Sequence, residues 1–505
     1  MRRRSTRTPP AASVEPAARD TPRDTPRRAA AARKQRIAPI WLFPLGEIAA
    51  FALSIVSAVA SSVGILIVGV CISLLIVYWA RARGDALVCA LAVLVFWMPF
   101  NVTFTRFGIS PQEIGLYVVI AACLVFSPHG PIRFVAGLFA SLTVFARLAL
   151  LVFTLACLQS IRQLQHADPI LLFTSVRQLW LYPLLFALLV AYAVRTRNCL
   201  PVIIQAFVAG AVMFACYGLV LEFAHTDVAI GAVAGRLGSQ ASILTGYHPN
   251  NLGLYFALAL VFMPAIVRQA WDAWELRRIK LASAAIAIFL LASALWLTYS
   301  RGALVAALIG TGTVILVWAF LGSFRSQLIG VGIIVLGVGG GGGLILWKGT
   351  AALGRYAGLL NVSSLSSDPN LRFRFALYMR ALAQAQAHMF TGIGPGAFSQ
   401  GAAVPFSPHN TYLDLWVAIG LFGVLAFVAA MLLGIVAAFR VAQRLRFAWR
   451  PRGLHTLDVL GIAGALVAFL LQAFVETFDQ EPRIAPAIWI LVGCAEGVLV
   501  AASAS

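Results

Sequence analysis

From residue 38 to residue 502 the chain is a succession of apolar runs separated by short polar links. A run of about 20 apolar residues is what an α-helix needs to cross ~30 Å of hydrocarbon. Backbone N–H and C=O groups find no partner in lipid, so a spanning segment must satisfy them internally, as a helix does. The apolar windows fall at roughly 38–59, 62–80, 86–100, 112–127, 136–160, 170–193, 201–223, 248–267, 281–299, 302–320, 328–347, 409–438, 458–476 and 485–502. The expected fold class is an all-α polytopic membrane protein with about 12–14 transmembrane helices. Composition agrees: of 505 residues, 61% are hydrophobic and 11% charged, too little polar surface for a water-soluble chain of this length.

A net charge of +20 suggests nucleic acid until the charges are located. Eleven Lys or Arg stand within residues 1–36 against Glu15, Asp20 and Asp24, in a Pro/Ala/Thr-rich stretch that cannot build a core. Residues 1–37 read as a disordered basic cytoplasmic tail, with contact to anionic headgroups as the functional alternative. With that tail inside, the short inner loops hold fifteen Lys or Arg and the short outer loops five, which fits the positive-inside rule. Both termini are then cytoplasmic. The seven cysteines lie in or beside apolar segments without a CxxC pair and read as small packing residues.

The one long loop, 348–408, then faces outward. It carries Lys348, Arg355, Arg372, Arg374 and Arg380 against Asp368 alone. Its basicity is either incidental, since long loops translocate regardless of charge, or marks an external site for a phosphate or polyanion. Within it, SDPNLRFRFALYMRALAQAQAHMF reads as a helix capped by Asp368 with Pro369 in the first turn, followed by the Gly/Pro turn TGIGPGAF. GVGGGGG at 337–343 lacks a following GK[ST], so it reads as close helix packing or a local break, not a P-loop.

Under this topology three spans begin at the outer face, and each opens on polar residues: GYHPNN (246–251), TYSRG (298–302) and FSPHN (406–410). Helix N-termini present unpaired N–H groups and a positive dipole end, so three of them gathered around Arg301 would hold a phosphate. Ser407 reads as an N-cap with Pro408 at the first helical position, which puts His409 in the first turn. Arg177 stands seven residues into a span, where an uncompensated guanidinium is costly, so it faces a cavity or a partner. Plainer roles stay open: Arg301 snorkelling at a helix end, His409 and Asn410 as capping residues, Asp414 bonding to Asn410. No H-x-x-x-H or carboxylate cluster points to a metal. A histidine base with phosphate-binding arginines, and no acidic metal ligands, suits group transfer from a phosphate-activated donor.

SRGA (300–303), GIGPGAF (392–398) and HNTYLDLWVAIGLFG (409–423) together resemble the signature core of the O-antigen ligase and O-antigen polymerase-like membrane proteins. GRLGSQASILTGYHPNNLGLYFALAL (235–260) resembles that family's earlier stretch. The resemblance covers roughly residues 230–435, so the chain divides into an N-terminal transmembrane bundle (38–230), a ligase-like core (231–435, including loop 348–408) and a C-terminal basic loop with a transmembrane hairpin (436–505). It implies a GT-C-like, metal-independent glycosyltransferase of the bacterial inner membrane, without a cofactor. The implied donor is an undecaprenyl-diphosphate-linked glycan. The acceptor is a hydroxyl of lipid A–core, another glycan or a protein, with membrane lipid around the site and no nucleic acid. By the same resemblance Arg301 binds diphosphate, His409 serves the acceptor and Arg372 on the loop helix helps close the site; Arg177, Asn410, Asn250 and Arg236 are further candidate substrate-binding residues. Some relatives carry Glu where this chain has Ala418. The rival reading, a transporter or flippase of lipid-linked glycans, calls for inverted repeats, which the sequence does not display.

The charge bias makes the topology testable. A reporter fused after residue 380 should report an external location, and fusions near residues 275 and 448 an internal one; a cytoplasmic signal at 380 would overturn the site at its root.

Overall fold

The computed structural model describes residues 86–100, 109–127, 130–161, 173–174, 176–223, 249–298, 300–321, 369–400, 407–447, 454–478 and 484–504. The basic tail, the windows 38–59, 62–80 and 328–347, the GVGGGGG run and Arg236 lie outside these residues. The described helices are α1 (Ala86–Phe96), α2 (Pro111–Phe126), α3 (Pro131–Ala140), α4 (Val144–Ile161), α5 (Tyr182–Arg197), α6 (Leu200–Phe223) and α7 (Pro249–Asp272). They continue with α8 (Arg277–Leu297), α9 (Arg301–Leu321), α10 (Pro369–Ala387), the one-turn α11 (Ala397–Gln400), α12 (Thr411–Phe447), α13 (Thr456–Gln472) and α14 (Ile484–Ala504). No strand occurs among the described residues. Seven of the helical stretches are long and apolar enough to cross a membrane, and five shorter apolar helices accompany them. The protein is an all-α polytopic membrane protein.

Two windows differ from their expected form. The window 136–160 is two helices, α3 and α4, parted at Ser141–Thr143. Thr143 starts the second one: its Oγ1 accepts from Ala146 N, and its own N–H donates to the buried Glu496 carboxylate at 2.8 Å. A carboxylate on a distant helix thus meets the N–H that a continuous helix would have satisfied. The window 409–438 runs on to Phe447 and is interrupted at Gly420.

Small residues set how closely the helices approach. Gly493 and Gly497, four apart on α14, lie against the Ala187 and Ala191 carbonyls of α5, where an added Cβ would come within 2.4 and 2.5 Å of oxygen. Gly310 of α9 and Gly464 of α13 face each other in the same way, each leaving room for the other's carbonyl. Between apolar helices in lipid, such small-residue contacts supply the packing that water would otherwise drive. The aromatic side chains Phe153, Phe427, Phe469 and Trp489 fill the space between α4, α12, α13 and α14.

The break at Gly420 redirects α12. Thr411 N donates to Ala473 O at 2.8 Å, whereas Phe427, sixteen residues later, packs on Phe469, four residues before Ala473. Sixteen residues of straight helix advance about 24 Å and four residues about 6 Å. The segment before Gly420 therefore turns across the end of α13 instead of extending the line of the span. Gly420 sits at φ 75°, ψ 174°, a conformation closed to side chains with a Cβ. The backbone groups freed by the break are taken up by Met389 and by the TGIGPG turn after it. Val417 O accepts from Ile393 N at 2.7 Å, Ala418 O from Gly394 N at 3.0 Å, and Leu421 N donates to Met389 O at 2.8 Å. Gly392, at φ 64°, approaches Ala418 so closely that a Cβ would lie 2.4 Å from its carbonyl oxygen. The Gly/Pro turn read from the sequence is thus the other half of the break in α12.

Helix α10 begins at Pro369, as expected; Asp368 lies outside the described residues. It buries Leu377, Ala381 and Ala385, one stripe at a spacing of four, against Val417 and Phe398. Gly420→Ala should destabilise the protein by about 2–5 kcal/mol, the left-handed penalty plus an overlap with the Phe390 carbonyl. Thermal unfolding of the detergent-solubilised protein reads this; an unchanged Tm would contradict the account of the break.

Candidate functional site

Three helix starts meet at one end of the bundle. At the α8–α9 corner, Thr298 Oγ1 donates to Leu295 O and accepts from Ser300 N, and Ser300 Oγ accepts from Ala303 N at 3.4 Å. Ser300 is therefore the N-cap of α9 and Arg301 its first residue. Gly253 of α7 packs against Thr298, Ser300 and Ala303, which places the start of α7 beside that corner. Gly302 packs against Gln472 and Val475 at the end of α13. The start of α12 joins the same end of α13 through Thr411, whose N–H donates to Ala473 O and whose Oγ1 donates to Glu476 O at 2.8 Å.

The start of α12 differs from its expected form by three residues. Asn410, not Ser407, is the N-cap: its Oδ1 accepts from Leu413 N at 3.0 Å. His409 precedes the cap in a left-handed conformation, φ 50°, outside the first turn where the SPHN pattern put it. Asn and His tolerate this region better than most residues, and a strained backbone persists only where its surroundings over-determine it. Those surroundings are specific. Tyr378 of α10 donates from its hydroxyl to His409 O at 3.2 Å, with Phe474 O at 3.4 Å also within reach, and Asn410 Nδ2 donates to Phe474 O at 3.1 Å.

Glu476 is the residue these elements converge on, with its side chain 5% exposed. One carboxylate oxygen lies 2.6 Å from His409 Nδ1; the other accepts from Asn250 Nδ2 at 2.5 Å and stands 3.6 Å from Arg374 Nη2. Arg374 also donates to Val475 O at 2.6 Å. A carboxylate only accepts, so Nδ1 carries a proton, and in the neutral ring the lone pair falls to Nε2. Charge-assisted bonds of this kind are the strong ones, and a buried carboxylate needs them. Burial pushes the Tyr378 phenol above its ordinary value, partly offset by Arg374, so it remains a donor. The carbonyls at the end of α13 that a helix leaves orphaned are met here by Thr411, Tyr412, Asn410 and Arg374.

Of the residues singled out in the sequence, His409, Asn410 and Asn250 therefore share one hydrogen-bonded cluster. Arg301 stands half-buried at the start of the adjacent α9, and no carboxylate among the described residues pairs with it. Arg372 is exposed on α10; the arginine of that helix that reaches the cluster is Arg374, two residues on. Arg177 forms a second buried cluster, ion-paired with Glu113, whose other oxygen accepts from the Tyr117 hydroxyl at 2.6 Å. It begins a π-helical turn, Arg177–Leu181, at the entry to α5. Arg236 lies outside the described residues. Among the described residues no group of three or more His, Cys, Asp or Glu is gathered as a metal site would require.

Sequence reasoning passed over Glu476, Arg374 and Tyr378. An acid at the end of an apolar span was the available signal for Glu476. For Arg374 it was the period of α10, which puts position 374 on the side of Leu377 and Ala381 and position 372 on the opposite side.

Residues 286–428 match the O-antigen ligase family model. That stretch carries SRGA, GIGPGAF and HNTYLDLWVAIGLFG, the motifs on which the resemblance rested. No curated protein matches the chain. The family match points to glycan transfer in cell-surface polysaccharide biosynthesis, and with the apolar helices to a multi-pass protein of the bacterial inner membrane. The matched residues hold α9, α10, the TGIGPG turn and His409; Asn250 and Glu476, which complete the cluster, lie on either side of them.

The cluster makes α10 and α13 interdependent. In a double-mutant cycle, Arg374→Ala and Glu476→Gln should couple by about 0.5–3 kcal/mol in thermal stability. Strict additivity would mean that the two side chains do not act on each other.

Proposed function

We propose that the protein transfers an oligo- or polysaccharide from undecaprenyl diphosphate to an acceptor hydroxyl at the outer face of the cytoplasmic membrane, as an O-antigen ligase or polymerase, without a metal. The observation that carries this reading is the Glu476–His409 pair at 2.6 Å, standing beside the Arg301 helix start. The outward orientation of this end is supported by the fifteen-to-five charge bias of the short loops.

In this reading Glu476 orients the ring and favours the charged imidazolium that forms as Nε2 takes the acceptor's proton. The acceptor oxygen then bonds to the anomeric carbon while the bond from that carbon to the diphosphate oxygen breaks. The leaving diphosphate accumulates negative charge. Arg301, able to bind two oxygens at once, and the N-termini of α7, α9 and α12 meet that charge. Asn250 and Arg374 hold Glu476, and Tyr378 fixes the strained His409 backbone. Arg372 on the exposed side of α10 is assigned to the incoming glycan or its phosphates. Asn410 acts through the cap that fixes the start of α12. Arg236 is kept as a candidate substrate-binding residue. Arg177 has its charge met by Glu113 and is assigned to the fold of the bundle, not to the donor.

Glycan transfer, measured in membranes holding equal amounts of each variant, tests this reading. His409→Ala should lose about 10²–10⁴-fold, the usual worth of general-base catalysis. Arg301→Lys keeps the charge and loses the planar fork, so it should be impaired as well. Asn accepts both the left-handed backbone and a helix start, so His409→Asn spares the backbone while it removes the base and the ring's bond to Glu476. A fully active His409→Asn would defeat the catalytic assignment and move a transporter of lipid-linked glycans ahead of it.

A further inference from the structure

The face of α10 turned away from the bundle carries large apolar side chains beside Arg372 and Gln386. Opposite the buried Leu377–Ala381–Ala385 stripe stand Phe375, 64% exposed, and Met379, 51% exposed; Phe390, just past the helix, is 52% exposed. This row is not isolated. The Phe390 ring stacks on Phe422 at 5.4 Å and 25°. Phe422 begins an outward stripe on the spanning half of α12 that continues through Leu425, Leu432 and Val436. In a chain that crosses a bilayer, such a stripe on a spanning helix is met by lipid. The apolar row of α10 is continuous with it.

Orientation and charge lead the same way. The segment of α12 before Gly420 is turned across the end of α13, and α10 packs along that segment, so α10 follows the rim of the bundle. Pro369–Ala387 holds three arginines and no acid. Arg372 is exposed at the start of this helix, and Arg380 reaches over the Phe398 ring at 5.5 Å. Beside Phe390, Trp416 Nε1 donates to Met389 O, and an indole that pairs an apolar ring with a polar N–H suits a membrane interface.

We infer that α10 and the turn after it form an interfacial helix seated in the phospholipid leaflet at the site end of the bundle. Phe375, Met379 and Phe390 enter the boundary between headgroups and acyl chains. The opposite flank of the same helix carries Arg374 and Tyr378, which hold Glu476 and His409. The roof of the site is thereby moored to the membrane surface. This placement does not depend on which group the site transfers.

The experiment uses the full chain with its seven native cysteines replaced by alanine, reconstituted in phosphatidylethanolamine–phosphatidylglycerol vesicles. A nitroxide is attached at Phe375→Cys, Met379→Cys or Phe390→Cys in turn. Leu308→Cys on the outward face of α9 serves as the hydrocarbon reference and Arg197→Cys as the aqueous one. Collision with molecular oxygen and with a water-soluble nickel chelate is measured at each position. The expected result is several-fold fewer chelate collisions than at position 197, with oxygen collisions approaching those at position 308. Chelate collisions equal to those at 197 would place α10 in water and overturn the inference. Low collisions with both reagents would show that protein covers the face, a second copy or another part of this chain, and would overturn it equally. Three independent positions keep the test decisive if one replacement prevents accumulation.

Discussion

A single buried carboxylate organises this end of the molecule. Removed from water, Glu476 is costly unless each oxygen is met by donors, and the donors come from three separate elements: Asn250 at the start of α7, His409 before α12 and Arg374 on α10. Elements far apart in sequence are thereby fixed to one point. His409 in particular is held twice, through its ring by Glu476 and through its carbonyl by Tyr378, in a backbone conformation that few residues adopt. Paired and satisfied, the carboxylate positions the imidazole; with a partner deleted, the same burial would make it a liability.

The broken helix serves the same end. A straight α12 would carry its first residues in line with the span and away from the end of α13. Gly420 permits the turn; TGIGPG takes up the carbonyls of Val417 and Ala418, and Met389 just before it takes up the N–H of Leu421. The two glycine-containing motifs, separated in the chain by the FSPHN stretch, are one structural unit. Irregular backbone at the edge of a membrane is tolerable only with such internal satisfaction. The break also lays a flank of α12 open to α10, and with it the arginine that reaches Glu476.

The two buried acid–base pairs illustrate different uses of the same chemistry. Arg177 and Glu113 neutralise each other within the bundle, with Tyr117 completing the carboxylate's bonding. Glu476 is shared among an imidazole, an amide and a guanidinium at the edge of a group of helix starts. Arg301, at the start of the adjacent α9, has no carboxylate partner among the described residues, and in the proposed reading it meets the leaving diphosphate. The contrast separates an arginine that closes a fold from one that can meet a diphosphate, although both looked alike as isolated cations in apolar runs.

Much of this was legible in the order of residues alone, because hydrophobic periodicity and helix-start chemistry are local. Apolar runs of bilayer length determined an all-α membrane protein, and polar starts at Asn250, Arg301 and His409 marked three helix ends of one kind. Local chemistry could not say which residue caps a helix when several can. Asn410 displaced Ser407 because its side chain reaches Leu413 N while His409 is pulled into the left-handed region by partners on α10 and α13. Nor could it choose Arg374 over Arg372, since that depends on which face of α10 meets Val417. Glu476 escaped motif reasoning because it stands sixty-seven residues from His409 and acquires meaning only when α13 brings it back. The sequence determined the elements and their ends; tertiary packing decided the partners, because a buried charge takes its role from whatever the fold places within hydrogen-bonding distance.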